Sequence, residues 1–385
     1  MKKICYFINS DWYFDLHWLD RARTTMQSGY KVVILSNFND SMLFDKLSQE
    51  GFECINTGMK ERSINPFSFA VDIIGCFKKI KEIKPDLLIS ITIKCLIIGG
   101  IYSRLNRVPA VLNFVGLGRI FNSSSFINRA IKMVVKPCIR WIAGSDEVFL
   151  CFEHQFDKKK LLSEINIHTD RAFIINGAGV DCEKFSVLPE PAGQDIVILY
   201  ASRLIVRKGL PDLVKVIEEL KTELNISLKL NVAGINVPDD PDAIPQAAIK
   251  KWHDEKIITW LGKSDDIPSL LASSHIVALP STYPEGVPRI LLESFAAGRP
   301  SVAYDIDGCR SLITDKYNGI LVSSGDIAEL KSKLRELILN KELRIRLGTA
   351  ARKTAMSKYS SQIINDETIR LYDKILNGND THVRK

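Results

Sequence analysis

The sequence predicts an α/β protein made of two consecutive parallel-sheet domains. Three observations lead there. A chain of 385 residues is longer than one ordinary core accommodates, so two domains of similar size are expected. Short apolar runs alternate with segments of i, i+3/i+4 apolar spacing, a βαβα rhythm that folds into a parallel sheet with helices on both faces. That rhythm stops at residues 175–191 and then restarts.

In order along the chain, residues 4–8 form the first apolar run. The start, M-K-K-I-C-Y-F-I-N-S, begins like a signal peptide, but its apolar stretch ends after Ile8 and Asp11 follows, so it reads as a strand. Further strands are expected at 31–36, 52–55, 87–91, 110–114, 147–151 and 173–175. The longest apolar region, 87–102, carries Lys94 and a Gly-Gly pair and falls short of a membrane span. The segment I-N-G-A-G-V-D-C-E-K-F from Ile175, followed by Pro189 and Pro191, opens no helix and reads as an interdomain linker (181–194) closing a first domain at 1–180. The second domain, 195–361, has strands expected at 196–201, 228–233, 257–260, 276–279, 301–304 and 320–322. Residues 362–377 look helical, and the last residues to Lys385 read as a frayed tail.

Composition narrows the function. The chain is 46% hydrophobic and 25% charged, as globular proteins are. Its eight cysteines form no C-x-x-C pair and its histidines no H-E-x-x-H. This argues for a reducing cytosol and against a disulfide framework or zinc site. The net charge of +7 is concentrated: residues 87–145 contain no Asp or Glu but eight cations, Lys94, Arg104, Arg107, Arg119, Arg129, Lys132, Lys136 and Arg140. At about 100° per residue the last four fall on one helical stripe, with Ile127, Ile131, Val134, Val135, Cys138 and Ile142 opposite and Pro137 expected to kink or break the helix. Such a stripe either faces solvent or meets phosphates.

The richest stretch for chemistry runs from Pro280 to Gly298, P-S-T-Y-P-E-G-V-P-R-I-L-L-E-S-F-A-A-G. It reads as strand, tight loop, helix, with Pro288 suited to the first helical position and Gly298 to the C-terminal cap. A helix N-terminus in such a loop offers free N–H groups to an anion. Glu285 and Glu293 bracket it and can both face the space beyond the strand's carboxyl end, where open α/β sheets bind ligands. After the strand at 196–201 comes S-R-L-I-V-R-K-G, whose Arg203 and Lys208 supply a planar fork and a point charge, suited to a diphosphate.

Glu285 and Glu293, with G-V-P-R-I-L-L between them, resemble the E-x7-E signature of the retaining family 4 glycosyltransferases of the GT-B fold, two Rossmann-like domains with parallel sheets facing across a cleft. The S-R-L-x-x-x-K-G segment closely matches that family's donor-phosphate motif, and the link at 176–185 resembles its N-G-V-D-x-x-x-F. The resemblance implies that Glu285, Arg203 and Lys208 serve catalysis, and that Glu293, Gly286, Val287 and Pro288 bind the donor. Gly262 and Lys263 would lie beside the nucleobase. The N-F-V-G-L-G-R-I-F segment from Asn113 lacks the third glycine of a dinucleotide fingerprint. It resembles the G-L-G-x-x-F loop of polyprenyl-linked O-antigen transferases, placing Gly116 near the donor diphosphate. The family's donor-sugar histidine has no counterpart between His17 and His154. D-W-Y-F-D-L-H resembles that subgroup's start, implying an acceptor-side role for Asp11 and His17; core packing of Trp12, Tyr13 and Phe14, with His17 a satisfied helix residue, is the alternative. Asp305-Ile-Asp307 mimics a metal-binding D-x-D but reads as a loop, with Asp307 or Gly308 capping the next helix.

The expected function is transfer of a hexose or N-acetylhexosamine, with retention, from a UDP-sugar to a polyprenyl-diphosphate-linked glycan in O-antigen or capsule assembly. No metal or cofactor is implied beyond the nucleotide-sugar donor, because Arg203, Lys208 and helix N-termini can carry the charge work. The protein would be cytoplasmic and peripheral on the membrane's inner face, with Arg129, Lys132, Lys136 and Arg140 meeting the acceptor diphosphate or anionic headgroups. The rivals are an epimerase or glycogen-type synthase of the same fold, a non-catalytic nucleotide-sugar binder, and a nucleic-acid-binding α/β protein. The last lacks a reader motif, so no nucleic acid is expected as partner.

Overall fold

The computed structural model describes residues 1–59, 66–118, 121, 126–238 and 240–378; Arg119, the serine-rich 122–125 and the tail from 379 to Lys385 lie outside these. The chain divides into two compact units, Met1–Ala178 with the segment from Ile364 onward, and Gly179–Ile363.

The first unit is a seven-stranded parallel sheet in the order β3-β2-β1-β4-β5-β6-β7. Its strands are β1 (Lys3–Phe7), β2 (Lys31–Ser36), β3 (Glu53–Asn56), β4 (Leu87–Ile91), β5 (Ala110–Phe114), β6 (Val148–Phe152) and β7 (Ala172–Ile174). The helices are α1 (Asp11–His17), α2 (Leu19–Gln27), α3 (Ser41–Gln49), α4 (Pro66–Ile83), α5 (Ile93–Asn106), α6 (Phe126–Ala143) and α7 (Gln155–Ile165). Strand alternation sorts the side chains into two cores. Cys5 and Phe7 join α4, α5, α6 and α7 on one face. Ile4 and Tyr6 face the opposite layer, where Phe14, Trp18 and Leu19 meet Ile364, Tyr372 and Ile375 of the last helix. That helix is also held by Lys2 Nζ donating to the Leu376 carbonyl (2.9 Å) and Asn365 Nδ2 to Thr24 Oγ1 (3.0 Å).

The second unit is a six-stranded parallel sheet in the order β10-β9-β8-β11-β12-β13. The strands are β8 (Ile196–Ala201), β9 (Leu228–Ala233), β10 (Thr259–Gly262), β11 (Ile276–Leu279), β12 (Ser301–Tyr304) and β13 (Ile320–Val322). Its helices are α8 (Leu210–Leu224), α9 (Gln246–Asp254), α10 (Ile267–Ala272), α11 (Arg289–Ala296), α12 (Asp307–Leu312), α13 (Ile327–Leu339) and α14 (Lys341–Thr354), and α15 (Ser361–Gly378) ends the described chain. In each sheet the winding reverses once, between β1 and β4 and between β8 and β11. Loops at such switch points open a crevice at the strands' carboxyl ends.

Three expectations need correction. Residues 181–194 are no free linker but part of the second unit. Arg344 makes a paired contact with Glu190 (2.7 and 2.9 Å), and Arg299 donates to the Leu188 and Pro189 carbonyls (both 3.0 Å). Arg352 adds bonds to the Cys182 and Phe185 carbonyls (both 2.9 Å). β10 starts at Thr259 rather than 257, because the N–H groups of Ile257 and Ile258 both turn back to the Trp252 carbonyl at the end of α9. Pro137 does not end α6, which continues to Ala143. The carbonyl that loses its partner is that of Met133, which lies on an exposed face open to solvent.

All eight cysteines are free thiols. Burial pushes Cys76 and Cys151 up to about 12, so neither is a ready nucleophile.

Candidate active site

The loops after β8, β11 and β12 meet at the second unit's switch point, and two glycines permit it. Gly209 has φ +84°, and a Cβ there would lie 1.8 Å from the Pro280 carbonyl oxygen; one on Gly308 would lie 1.9 Å from that of Gly286. The Arg207 carbonyl stitches two loops together, accepting from the N–H groups of Thr282 (2.9 Å) and Tyr283 (3.1 Å).

Lys208 and Glu285 form an ion pair at this junction, both side chains largely buried. Ser281 Oγ donates to the same carboxylate oxygen (3.1 Å), fixing its rotamer. Arg203 lies 3.8 Å from Asp240, and the cationic groups of Arg203, Arg207 and Lys208 all sit over the Tyr283 ring, 5.3–5.7 Å from its centroid. One aromatic ring thus lies close to three cations that would otherwise repel.

Pro288 is the N-cap of α11, one residue ahead of the expected position, and Gly298 (φ +68°) follows the C-cap Ala297. Gly286 and Val287 lie in the half-buried loop between Glu285 and that cap. Glu293 is buried within α11 and accepts from Arg289 Nε (2.7 Å). Burial pushes its carboxyl above the ordinary carboxylate range, with Arg289 pulling the other way. Gly262 (φ +67°) ends β10 beside open space, while the exposed Lys263 reaches Asp265 (3.5 Å). Asp305 and Asp307 are both bonded by Arg310 (2.7 and 3.0 Å), so this D-x-D is a loop clasp. The N-cap of α12 is Ile306, with Asp307 its first residue, one step from the expected cap.

Two sequence families divide the chain between them: "Glycosyl transferases group 1" matches residues 183–354 and "Glycosyl transferase 4-like" residues 3–140. The chain thus carries a glycosyltransferase 4-like domain followed by a group 1 glycosyltransferase domain. It is 24% identical to the N,N'-diacetylbacillosaminyl-diphospho-undecaprenol alpha-1,3-N-acetylgalactosaminyltransferase of Campylobacter jejuni, over 86% of this chain and 88% of that protein. Against the UDP-Gal:alpha-D-GlcNAc-diphosphoundecaprenol alpha-1,3-galactosyltransferase of Escherichia coli it is 26% identical, over 74% of each chain. Its fold, GT-B, is shared with Anabaena HepE, solved with UDP and glucose: TM-score 0.77 at 18% identity, covering 97% of this chain and 100% of that one.

In the first unit of this glycosyltransferase several predicted residues have partners within the fold. Asp11 is buried and accepts from the N–H groups of Trp12, Asn39 and Asp40 (2.8–3.0 Å), so its carboxylate braces two loops instead of lining an open acceptor surface. His17 packs against Tyr13, the two rings tilted by 36° with centroids 4.3 Å apart. Gly116 (φ +98°) turns the chain after β5, where Leu117 and Phe121 enter the core. The basic stripe is also not a uniform cationic face. Glu164 of α7 pairs with Lys132 (2.6 Å) and Lys136 (3.5 Å), leaving Arg129 and Arg140 as its exposed members. Val134, expected on the buried side, is exposed beside Met133.

Sequence reasoning overlooked Ser281, Tyr283, Arg289 and Asp240. Arg289 was readable from its i, i+4 spacing to Glu293. It also overlooked the first unit's switch point, where Thr92 holds φ +72°, ψ 148° and donates to Asn9 Oδ1 (3.0 Å). A β-branched residue there costs on the order of 1–3 kcal/mol, and no sequence signal marks it.

Proposed function

We propose that this glycosyltransferase moves a hexose or N-acetylhexosamine from a UDP-sugar, with retention and without a metal, to a glycan on a polyprenyl diphosphate in bacterial-type surface polysaccharide assembly. The observation that carries the reading is the Lys208–Glu285 pair at the second unit's switch point, flanked by Arg203. A bound diphosphate competes with Glu285 for the Lys208 ammonium and takes up the Arg203 fork. Glu285, held by Ser281, is then available to donor-sugar hydroxyls and offsets positive charge developing on the ring, while the two cations stabilise the departing UDP. In this reading Glu293 binds the ribose hydroxyls, Gly286, Val287 and Pro288 the sugar and phosphates, and Gly262 and Lys263 the nucleobase.

The acceptor class is supported by the two relatives, whose names specify undecaprenyl-diphosphate-linked sugars. Such an acceptor places the enzyme peripherally on the cytoplasmic face of the membrane. Among the described residues no helix is long and apolar enough to cross a membrane. The test is sugar transfer and sugar release from a panel of UDP- and GDP-sugars, with and without polyprenyl-diphosphate glycan. Transfer from one UDP-sugar, dependent on the lipid-linked acceptor, is expected. UDP-sugar binding with no turnover on any acceptor would favour a non-catalytic binder, and preference for GDP-sugars would overturn the donor assignment.

A further inference from the structure

The layer formed by α4, α5 and α6 exposes an unusual amount of apolar surface. Eight large hydrophobic side chains among the described residues are more than 60% exposed, and six belong to this layer: Phe67, Val71, Ile74, Leu105, Met133 and Val134. They are not scattered. Val71 and Ile74 share one side of α4, while Phe69, Ile73, Phe77 and Ile80 pack inward from the other. The first half of α4 is therefore apolar all round, a pattern that calls for cover on both sides. On α6, Met133, Val134 and the half-exposed Trp141 form a second apolar strip.

The charges around this surface select its partner. Lys78 and Lys81 continue the exposed side of α4, and Arg129 and Arg140 border the strip on α6. Arg104 lies over the Trp141 ring at 4.5 Å and donates to that residue's carbonyl. The layer's carboxylates are mostly spent inward: Asp72 pairs with Lys94 (2.6 Å, both largely buried) and Glu164 with the two lysines of α6. Glu82 is the exposed exception. Exposed aliphatic groups with a tryptophan and bordering cations are what a lipid–water interface accepts. A second copy meeting this face symmetrically would bring two net-positive surfaces together, Lys78, Lys81, Arg129 and Arg140 of each against the single exposed Glu82.

We propose that this layer is a membrane-docking face, in which Val71, Ile74, Met133, Val134 and Trp141 enter the headgroup–acyl boundary of an anionic bilayer and Arg129 and Arg140 hold its headgroups. The inference rests on the reading of the acceptor as lipid-linked and replaces the four-residue basic stripe as the contact. It makes the apolar groups, not Lys132 and Lys136, the main anchor.

The test uses two variants of the full chain, Ile74→Ser/Val134→Ser and Arg129→Gln/Arg140→Gln, in co-sedimentation with vesicles of phosphatidylcholine alone or with phosphatidylglycerol. The first variant should lose about tenfold or more of its binding to both vesicle types, as expected from about 0.8 kcal/mol per buried CH₂. The second should lose about tenfold on anionic vesicles only, each cation contributing about 1 kcal/mol there. UDP binding should be unchanged in both, showing that the donor site is intact. Vesicle binding unaffected by the serine pair overturns the proposal. So does a wild-type dimer, seen by sedimentation, that this pair converts to monomer. Vesicle binding that follows these rules in a protein with no transferase activity would sink the proposed function while leaving the docking face standing.

Discussion

The second unit's site and the first unit's outer helical layer are both rich in cations, but they deploy them in opposite ways. Around the β8/β11 switch point three cations have a nearby carboxylate, Lys208 with Glu285, Arg289 with Glu293 and Arg203 with Asp240, while Arg207 donates to the Thr282 carbonyl (3.2 Å). On α4 and α6 the outward cations border bare aliphatic groups. A paired cation in a half-buried pocket is held in place and can exchange one anion for another, which suits a small ligand of fixed geometry. Cations beside exposed apolar groups define no pocket and suit a broad, deformable partner. The contrast between a wired site and an open face is therefore one of ligand type.

The largest break in that contrast should come from Glu285→Gln. It keeps the shape, removes the charge that balances Lys208, and is expected to cut turnover by more than tenfold, on the order of 10²-fold, with unfolding temperature little changed. Wild-type steady-state turnover in this variant would remove Glu285 from catalysis. A smaller effect is expected from Arg203→Ala and Lys208→Ala, measured by calorimetry with UDP and uridine. Each should weaken UDP by about tenfold while leaving uridine nearly unchanged, since a charge-assisted bond contributes about 1.5–3 kcal/mol. Equal losses for both ligands would mean that the loop has collapsed rather than that a phosphate contact is gone.

The smallest effect sharpens the comparison through pH. Glu293 has a folded-state pKa above its unfolded value, so the native state holds its proton more tightly, and this contribution to stability is lost as pH rises from about 4.5 through the raised value. Glu293→Gln removes that dependence. Thermal unfolding should show the variant gaining on the wild type as pH climbs through this range, while its donor KM rises because the ribose contact is weakened. Parallel stability curves would contradict the burial argument, and an unchanged donor KM would take Glu293 out of the site.

Much of this architecture is legible in the sequence, for identifiable reasons. Fully buried parallel strands are continuous apolar runs, so even the four residues of β11 stand out. Glu285 and Glu293 are legible because strand, loop and helix lie in one contiguous stretch. What escaped depends on partners distant in sequence. Glu164, which pairs with two of the stripe's four cations, belongs to the next helix, and Asp11's three N–H donors include two from residues 39 and 40. Of the two outcomes expected at Pro137, a break is excluded because α6 runs on to Ala143; helical periodicity alone does not choose between break and kink.

The arginine grip on residues 182–190 has a practical consequence for dissecting the chain. A cut chosen by composition, at the prolines near 189–194, would separate Arg299, Arg344 and Arg352 from the groups they hold there, removing the carboxylate of the buried Arg344 and leaving each guanidinium with only its remaining carbonyl partners. A fragment running from Gly179 to Ile363 retains all three, together with the hydrogen bonds joining Val180 to Tyr359 and Ser361. The stretch that most resembles a tether in composition is thus the wrong place for scissors, and its prolines and glycines should resist limited proteolysis that an untethered segment would not survive.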